Sequence, residues 1–344
     1  MSIDIWPPVT AQELKLKEAE AQERELKWIV DETLEVCQYL RHGLEDCYAL
    51  LAPIDPGSTL VMSTPRNEKV KGTITRVGTR IVKGVKLSPP RARPQAPPHD
   101  NALTSRQSLH VQLRTMPSLA LSLSQTSAVH IQALDTIHTL LTQSIDMLGL
   151  TLHKDRAADV QSLASNLTVL SESLSECTKL LKGPPLTSSD PGWRLASVPP
   201  EQFSPALGPN LSLHFSLQES CVVLWLRALE PVHAPVHFGT KLGLAIGTVR
   251  RLEHDEMDIV FKYNPLGSVD ADCKRTVARH PTGGMSKPPL RPSRLEDVYV
   301  REKVRVESAD PSLISLYSKL GHLNNVLDQA RNNLTAVMGL EQDT

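Results

Sequence analysis

Histidine, cysteine and carboxylate side chains are the first candidates for chemistry, because they supply most metal ligands and most acid–base groups in proteins. The chain has 12 histidines, most of them isolated. His233 and His237 come closest to a ligand pair, but they flank Pro235, and no cysteine or carboxylate completes a site. We therefore predict an exposed connection at this stretch, with no metal and no cofactor.

Catalytic motifs are also missing from the sequence. It contains no G-x-S-x-G turn, no P-loop and no H-E-x-x-H zinc motif. The spacing of a phosphate-binding loop is not matched by Gly243, Gly247, Gly283 or Gly284. No paired carboxylates fall on an element that would clearly line a pocket. We expect that the protein is not an enzyme.

A run of basic residues is the strongest local charge feature. Many of its members alternate with apolar residues over a predicted hairpin, Val70 to Val77 and Arg80 to Leu87, so we expect them to line one solvated face. The run comprises Arg66, Lys69, Lys71, Arg76, Arg80, Lys83 and Lys86, followed by Arg91 and Arg93.

Two interpretations of this basic face are open. It could bind an anionic partner surface or lipid headgroups, or its charges could only keep a strand edge from pairing with other chains, which is the simpler explanation. If the face binds a partner, the candidate partner-binding residues are Lys71, Arg76, Arg80, Lys83 and Lys86.

The elements that must position these residues include four stretches with apolar residues at alternating steps of three and four. This spacing is typical of a helix with one apolar stripe. The pattern predicts helices from Leu14 to Leu51, from about Ser118 to Leu148, from Val160 to Leu181 and from Asp310 to Met338. Asp310 and Pro311 are the residue types favoured at a helix start. The first helix begins with a segment dense in Glu and Lys, which we expect to project into solvent or toward a partner.

Strands are predicted where apolar residues alternate with polar ones, or where a short apolar run is bounded by turn residues. Besides the hairpin, these are Leu60–Met62, Ser108–Arg114, Asn210–Leu217, Cys221–Leu229, Met257–Tyr263 and Val298–Val306. They fall in the two long connections between the first and second helices and between the third and fourth.

The predicted fold class is α+β, an antiparallel four-helix bundle with heptad stripes plus a single β-sheet domain inserted in the crossover connections. The helical domain would comprise 11–53, 118–182 and 308–339, and the β domain 58–115 and 205–306. Two basic linkers, 88–106 and 264–294, are predicted to be disordered. The apolar stripes could instead drive self-association, but four stripes in one chain can cover each other.

The composition argues against several classes of protein. The chain has 37 basic and 38 acidic residues, a formal net charge of −1, so no overall field for nucleic acid is expected. Its longest apolar run, Cys221 to Leu226, is far shorter than the roughly 20 residues that span a bilayer. Five cysteines are scattered, and Cys37, Cys47 and Cys177 occupy apolar stripe positions. We expect a reduced, cytoplasmic protein without stable membrane insertion.

Three stretches of the sequence carry a family resemblance. Residues 25–32 read ELKWIVDE, and residues 70–75 read VKGTIT. The third stretch starts with PAL at 205–207 and ends with ALEP at 228–231, after two apolar strands. In this order the stretches resemble the Rogdi family, including its fungal members, and the resemblance covers nearly the whole chain. The basic linkers depart from the family pattern and look like insertions.

The resemblance implies an adaptor without catalytic activity. Fungal members of the family are the smaller subunit of the RAVE complex, which promotes assembly of the V-type proton ATPase and so organelle acidification. The implied partners are a very large WD-repeat scaffold, similar to rabconnectin, and cytosolic catalytic-sector subunits of the ATPase. The chain would act as a monomer within this hetero-complex, in the cytoplasm, with transient recruitment to vacuolar or endosomal membranes.

A function of another class is also open. The apolar stripes are typical of a self-associating leucine-zipper scaffold, which could act in vesicle trafficking or in the nucleus, unrelated to proton pumping. That function requires a stable homo-oligomer, whereas the adaptor function does not.

Overall fold

The computed structural model of the chain describes residues 10–51, 57–65, 69–82, 108–114, 116–124, 128–153, 160–185, 193, 197–232, 259–263 and 296–339. The chain divides into two compact units, and each is discontinuous in sequence. The first comprises Met1–Ala52, Leu134–Leu181 and Ser312–Thr344, and the second comprises Pro53–Ala133 and Lys182–Pro311.

The first unit is helical. Its elements are α1 (Ala11–Leu51), α2 (Gln132–His153), α3 (Val160–Lys182) and α4 (Pro311–Val337). The predicted apolar stripes of α3 and α4 are confirmed, because their leucines are buried along the whole length of each helix. Gly183 terminates α3, since the φ of +70° there suits glycine and a Cβ would lie 2.2 Å from a backbone oxygen.

Helix α1 starts with a sequence-encoded cap. The backbone N–H of Glu13 donates a hydrogen bond to the side-chain oxygen of Thr10 at 3.3 Å, and Thr-x-x-Glu is the capping-box pattern. Glutamate–lysine pairs four residues apart support the following turns. The first buried residue of the helix is Ile29, so residues 11–28, which we call the overhang, extend for about 27 Å with hardly any packing.

The end of α4 explains why the buried part of α1 starts only at Ile29. α1 and α4 are antiparallel, with Gly43 against Leu323 and Asp46 paired with Lys319 at 2.5 Å. Val337, the last residue of α4, lies 14 positions after Leu323, and Ile29 lies 14 positions before Gly43. α1 therefore loses its packing at the level where α4 ends.

The second unit contains two antiparallel sheets. The strands are β1 (Ser58–Ser63), β2 (Val70–Val77), β3 (Arg80–Val82), β4 (Leu109–Val111), β5 (Leu119–Leu123), β6 (Val129–His130), β7 (Phe203–Ser204), β8 (Leu211–Gln218), β9 (Cys221–Pro231), β10 (Val260–Tyr263) and β11 (Glu296–Ala309). The first sheet has the order β6-β3-β2-β4-β5-β7, with β1 on the other edge of β2, and the second has the order β10-β11-β9-β8.

The strand β2 is the centre of the first sheet. The predicted hairpin is confirmed, because Val77 pairs with Arg80 across Gly78 and Thr79, and Gly78 supplies a positive φ of 61°. One face of the sheet is apolar and buried. Its members include Leu60, Met62, Val70, Ile74, Ile81, Leu109, Val111 and Leu121.

The second sheet is held together by its inner strands. β9 lies between β8 and β11, as its continuously apolar sequence predicts, and most of its residues are buried. Trp193 packs on this sheet in a cluster with five other buried residues, which are Leu229, Phe261, Tyr263, Val298 and Val300. The ring of Trp193 meets the ring of Phe261 edge-on, at 5.5 Å between centroids.

The predicted fold class, an antiparallel four-helix bundle with one β domain inserted in its crossovers, is wrong. The described residues form four α-helices and two separate antiparallel sheets, one of which curls into a half-barrel. A heptad stripe shows only that a helix buries one face, and it does not reveal which elements cover that face. Likewise, alternation shows which way side chains point but not which strands pair, so the sequence pattern could not separate two sheets from one.

The predicted second helix is also wrong in its first part. Residues Leu119–Leu123 form strand β5, and the helix runs from Gln132 to His153, past the end predicted at Leu148. The sequence LALSL has apolar residues at every second position, which is the period of a strand rather than of a helix. The apolar stripe of α2, farther along the chain, favoured a helix, and the prediction extended that helix over the strand.

Several predictions fall outside the described residues. These are the linkers at 88–106 and 264–294 and the pair His233 and His237. Within the described part of the chain, no helix combines the length and the apolar character needed to cross a membrane.

Buried thiols give a test of the helical packing. Burial raises the pKa of Cys37 to about 11 and that of Cys47 and Cys177 to about 12. The variant Cys221→Ser/Cys273→Ser keeps only these three of the five cysteines. Because the thiolate is the reactive form, we expect the three thiols of this folded variant to resist a thiol-disulfide reagent near neutral pH. All three should react once the chain is unfolded in guanidinium. Rapid reaction of any of them in the native protein would contradict this packing.

The same thiols predict a loss of stability in alkali. A thiol whose pKa is raised in the folded state stabilises the fold fully below its ordinary pKa of 9.0, and this contribution is lost as the pH rises through the folded value. The free energy of unfolding should therefore fall between pH 9.0 and about 11, and it should fall less in Cys37→Ala than in the parent protein. Denaturant titrations at several pH values would measure both slopes.

Candidate interaction surface

The five predicted partner-binding residues do not share one surface. Lys71 and Arg80 are exposed, Arg76 is completely buried, and Lys83 and Lys86 lie outside the described residues. The prediction that these side chains line one solvated face is therefore wrong for Arg76. Strand geometry gives the reason. Position 76 is five positions after position 71, and side chains an odd number of positions apart point to opposite faces of β2.

Lys71 and Arg80 do lie on the same face of the first sheet. Lys71 is the register partner of His110, and Arg80 is the register partner of His130. Paired residues in an antiparallel sheet point the same way. We call this surface the basic face and define it by Lys71, Arg80, His110 and His130, which are all exposed.

Among the described residues, the cations of the basic face are not neutralised by a carboxylate. Neither Lys71 nor Arg80 has an ion-pair partner among the described residues. The carboxylate near this end of the sheet is Glu302, which is largely buried and pairs with Lys69 at 2.8 Å. Its second oxygen accepts a hydrogen bond from the backbone N–H of Arg114 at 2.8 Å. Glu302 is thus committed to internal contacts.

A shallow groove runs beside Lys71. Its exposed rim carries amine, imidazole, amide and hydroxyl groups, and its floor is apolar. The lining residues are Lys69, Lys71, His110, Val111, Gln112, Ser118, Leu119 and Ala120. Such a groove can hold an anionic group by hydrogen bonds. Among the described residues, no three His, Cys, Asp or Glu side chains are placed to hold a metal ion together.

Arg76 has a structural role on the opposite, buried face. Its Nε donates to Oδ2 of Asp310 at 2.6 Å, and both side chains are completely shielded from solvent. A terminal nitrogen of Arg76 also donates to the carbonyl of Gly78 at 2.5 Å. Oδ1 of Asp310 accepts a hydrogen bond from the hydroxyl of Ser58 at 3.2 Å. The pattern at Asp310 and Pro311 indicated only a helix start, and nothing local in the sequence indicated this ion pair.

The overhang of α1 is a second exposed candidate surface. It presents two apolar residues on one side, Leu14 and Trp28, which are 50% and 61% exposed and two heptads apart. On another side Leu16, also 61% exposed, extends the stripe that is buried farther along the helix. Large exposed apolar side chains on a rigid element are typical of a contact site for another protein.

A family model described as "Rogdi leucine zipper containing protein" matches residues 25–335. The match spans well over half of the chain. The chain belongs to the Rogdi family. A search of curated proteins finds no match.

The boundaries of the Rogdi match are informative about the two surfaces. The basic face and the Arg76–Asp310 pair lie inside the matched residues, as does Trp28. Most of the overhang, including Leu14 and Leu16, precedes residue 25 and lies outside the match. The family match thus covers the basic face and leaves most of the overhang outside it.

The buried ion pair predicts a large effect at Arg76. Arg76→Met leaves the carboxylate of Asp310 buried without its charge partner, so we expect unfolding to become easier by about 3–5 kcal/mol. Adding Asp310→Asn removes that charge while keeping a residue favoured at a helix start, so the double variant should recover part of the loss. Chemical denaturation would measure both changes.

Arg80→Met is the matched control for this prediction. Arg80 is exposed and has no ion-pair partner among the described residues, so its replacement should change the free energy of unfolding by no more than about 0.5 kcal/mol. Equal effects of Arg76→Met and Arg80→Met would show that the buried pair does not form.

Proposed function

We propose that this Rogdi-family chain is a non-catalytic adaptor, the smaller subunit of a RAVE complex of the fungal type, which promotes assembly of the V-type proton ATPase. The observation that carries the proposal is the family match over residues 25–335. Its partners are a large WD-repeat scaffold, similar to rabconnectin, and cytosolic catalytic-sector subunits of the ATPase. It acts as a monomer within this complex, in the cytoplasm, and reaches vacuolar or endosomal membranes transiently.

Two features of the molecule support recognition by exposed surfaces. The basic face offers cations that have no ion-pair partner in the part of the chain that the structure describes, and the overhang offers large apolar side chains on a preformed helix. A helix that is already ordered loses less conformational entropy on docking than a flexible segment does. In the adaptor function each of these two surfaces contacts a partner, and the overhang packs against a helix or into a groove of its partner.

Affinity purification from the protein's own cells, followed by mass spectrometry, tests the adaptor function. We expect the tagged chain to recover a very large WD-repeat protein together with cytosolic ATPase subunits. Loss of the chain should slow reassembly of the ATPase and raise the pH of the vacuole. Recovery of an unrelated set of proteins would refute the proposal.

The overhang prediction uses a paired substitution. Leu14→Glu/Trp28→Glu keeps helix-favouring residues but removes both apolar side chains from one side of the overhang, so the affinity for a partner should fall by about thirtyfold, as expected for a hot spot of about 2 kcal/mol. Leu150→Glu is the control, because Leu150 is 70% exposed on α2. The amount of scaffold that co-purifies, measured at equal expression, reports the change. Equal recovery with both variants would exclude the overhang as a contact.

The alternative function, a self-associating leucine-zipper scaffold, is favoured by one observation. The exposed Leu16 and half-exposed Leu26 extend the apolar stripe of α1 beyond the packed helices, as a zipper would require. Light scattering on the purified chain separates the two functions. A mass of one chain supports the adaptor, and a stable homo-oligomer supports the zipper.

A further inference from the structure

The charge of this chain is strongly segregated. Residues 57–133 contain eleven Lys and Arg but only two acidic residues, whereas the whole chain has a net charge of −1. The rest of the chain therefore carries the compensating negative charge. A folded domain gains nothing in stability from such a separation, because like charges in one sheet repel each other.

Two of these basic residues, Lys71 and Arg80, lie on the basic face. The six strands β1 to β6 contain no Asp or Glu at all. Lys71 and Arg80 are its two exposed cations, and each lies opposite a histidine on the neighbouring strand. Along β2, Lys71 and the partner of Arg80, Val77, are six residues apart, so the two cationic positions are separated by about 20 Å.

This separation fits an extended or helical protein segment. About six residues of extended chain, or about 13 residues of helix, would span both positions. The groove beside Lys71 adds imidazole, amide and hydroxyl groups that can donate hydrogen bonds to a carboxylate. Lysine and arginine form their strongest hydrogen bonds with such anionic acceptors.

The surroundings of the cations favour a protein over a nucleic acid or a membrane. The strands β1 to β6 contain no Phe, Tyr or Trp, the large rings on which bases stack best. Val61, at 59% exposure, is the one large exposed apolar side chain in those strands, which is little for insertion into a lipid surface. Two exposed cations in the described strands also give only weak attraction to anionic lipid.

We propose that the basic face is the docking site for a carboxylate-rich segment of a partner protein, with Lys71 and Arg80 as its two anchoring cations. This inference rests on the proposed adaptor function, and it adds the chemistry of the partner. Arg76 is excluded from the contact because it is buried in its pair with Asp310.

A binding experiment with the purified full chain tests the chemistry directly. The probe is a fluorescent poly-glutamate peptide of about 13 residues, long enough to span both cations as a helix, and anisotropy measures its affinity. Lys71→Glu/Arg80→Glu should weaken binding by at least about tenfold, and binding to the parent chain should weaken as salt rises. A poly-glutamine peptide of the same length should not bind.

Two control variants separate the basic face from general charge. Lys179→Glu changes a lysine of α3 whose side chain is 71% exposed, and Lys262→Glu changes an exposed lysine of the second sheet. Neither should alter peptide binding. Equal weakening in the controls, or none in Lys71→Glu/Arg80→Glu, would overturn the proposal. So would tighter binding to phosphatidylserine vesicles or to single-stranded poly-uridine RNA than to the peptide.

Purification from cells separates a failure of this inference from a failure of the adaptor function. If the parent chain recovers the scaffold and ATPase subunits and Lys71→Glu/Arg80→Glu recovers them equally, the docking site is wrong while the adaptor function stands. If the parent chain recovers neither, the adaptor function fails, and with it this inference. Selective loss of one partner from the double variant supports the docking site and identifies the partner with the acidic segment.

Discussion

The buried ion pair between Arg76 and Asp310 is the constraint on which the strand unit depends. Moving two charges out of water costs several kcal/mol each, and only close, fully hydrogen-bonded geometry offsets that cost. Here the carboxylate accepts from Arg76 and from Ser58, and the guanidinium also reaches a backbone carbonyl. Three segments distant in sequence are thereby fixed at one point: the start of β1, the end of β2 and the end of β11.

The pair also determines what the sheet shows to solvent. Because the side chain of Arg76 must point inward to reach Asp310, Lys71, five positions earlier on β2, must point to the opposite face. A slip of one residue would bury Lys71 and expose Ile74, so the register is strongly specified. The basic face therefore follows from the buried pair: the inward cation is neutralised within the fold, and the outward cations Lys71 and Arg80 remain available for a partner.

The sequence contained more of this arrangement than the basic run alone suggested. The leucine stripes of α3 and α4 and the hairpin at Gly78 could be predicted, because each is encoded by a local period or turn. The inward position of Arg76 could also have been predicted, since it lies five positions after Lys71, and an odd offset along a strand places two side chains on opposite faces. Its pairing with Asp310 could not, because the two residues are far apart in sequence and no local pattern connects them. The division of the strands into two sheets could not be predicted for the same reason, because strand pairing also joins residues that are far apart in sequence.

The overhang shows how a short helix can be stable without packing. An isolated helix of 18 residues is marginal in water, because its first turn fixes several residues for a single hydrogen bond. The overhang avoids that cost, since it continues a helix already nucleated by the packed residues from Ile29 onward, and Thr10 caps its free end. A partner would thus meet a preformed rod whose ordering is already complete. Residues 11–24 of this rod precede the residues that the Rogdi family model matches, whereas Trp28 lies within them.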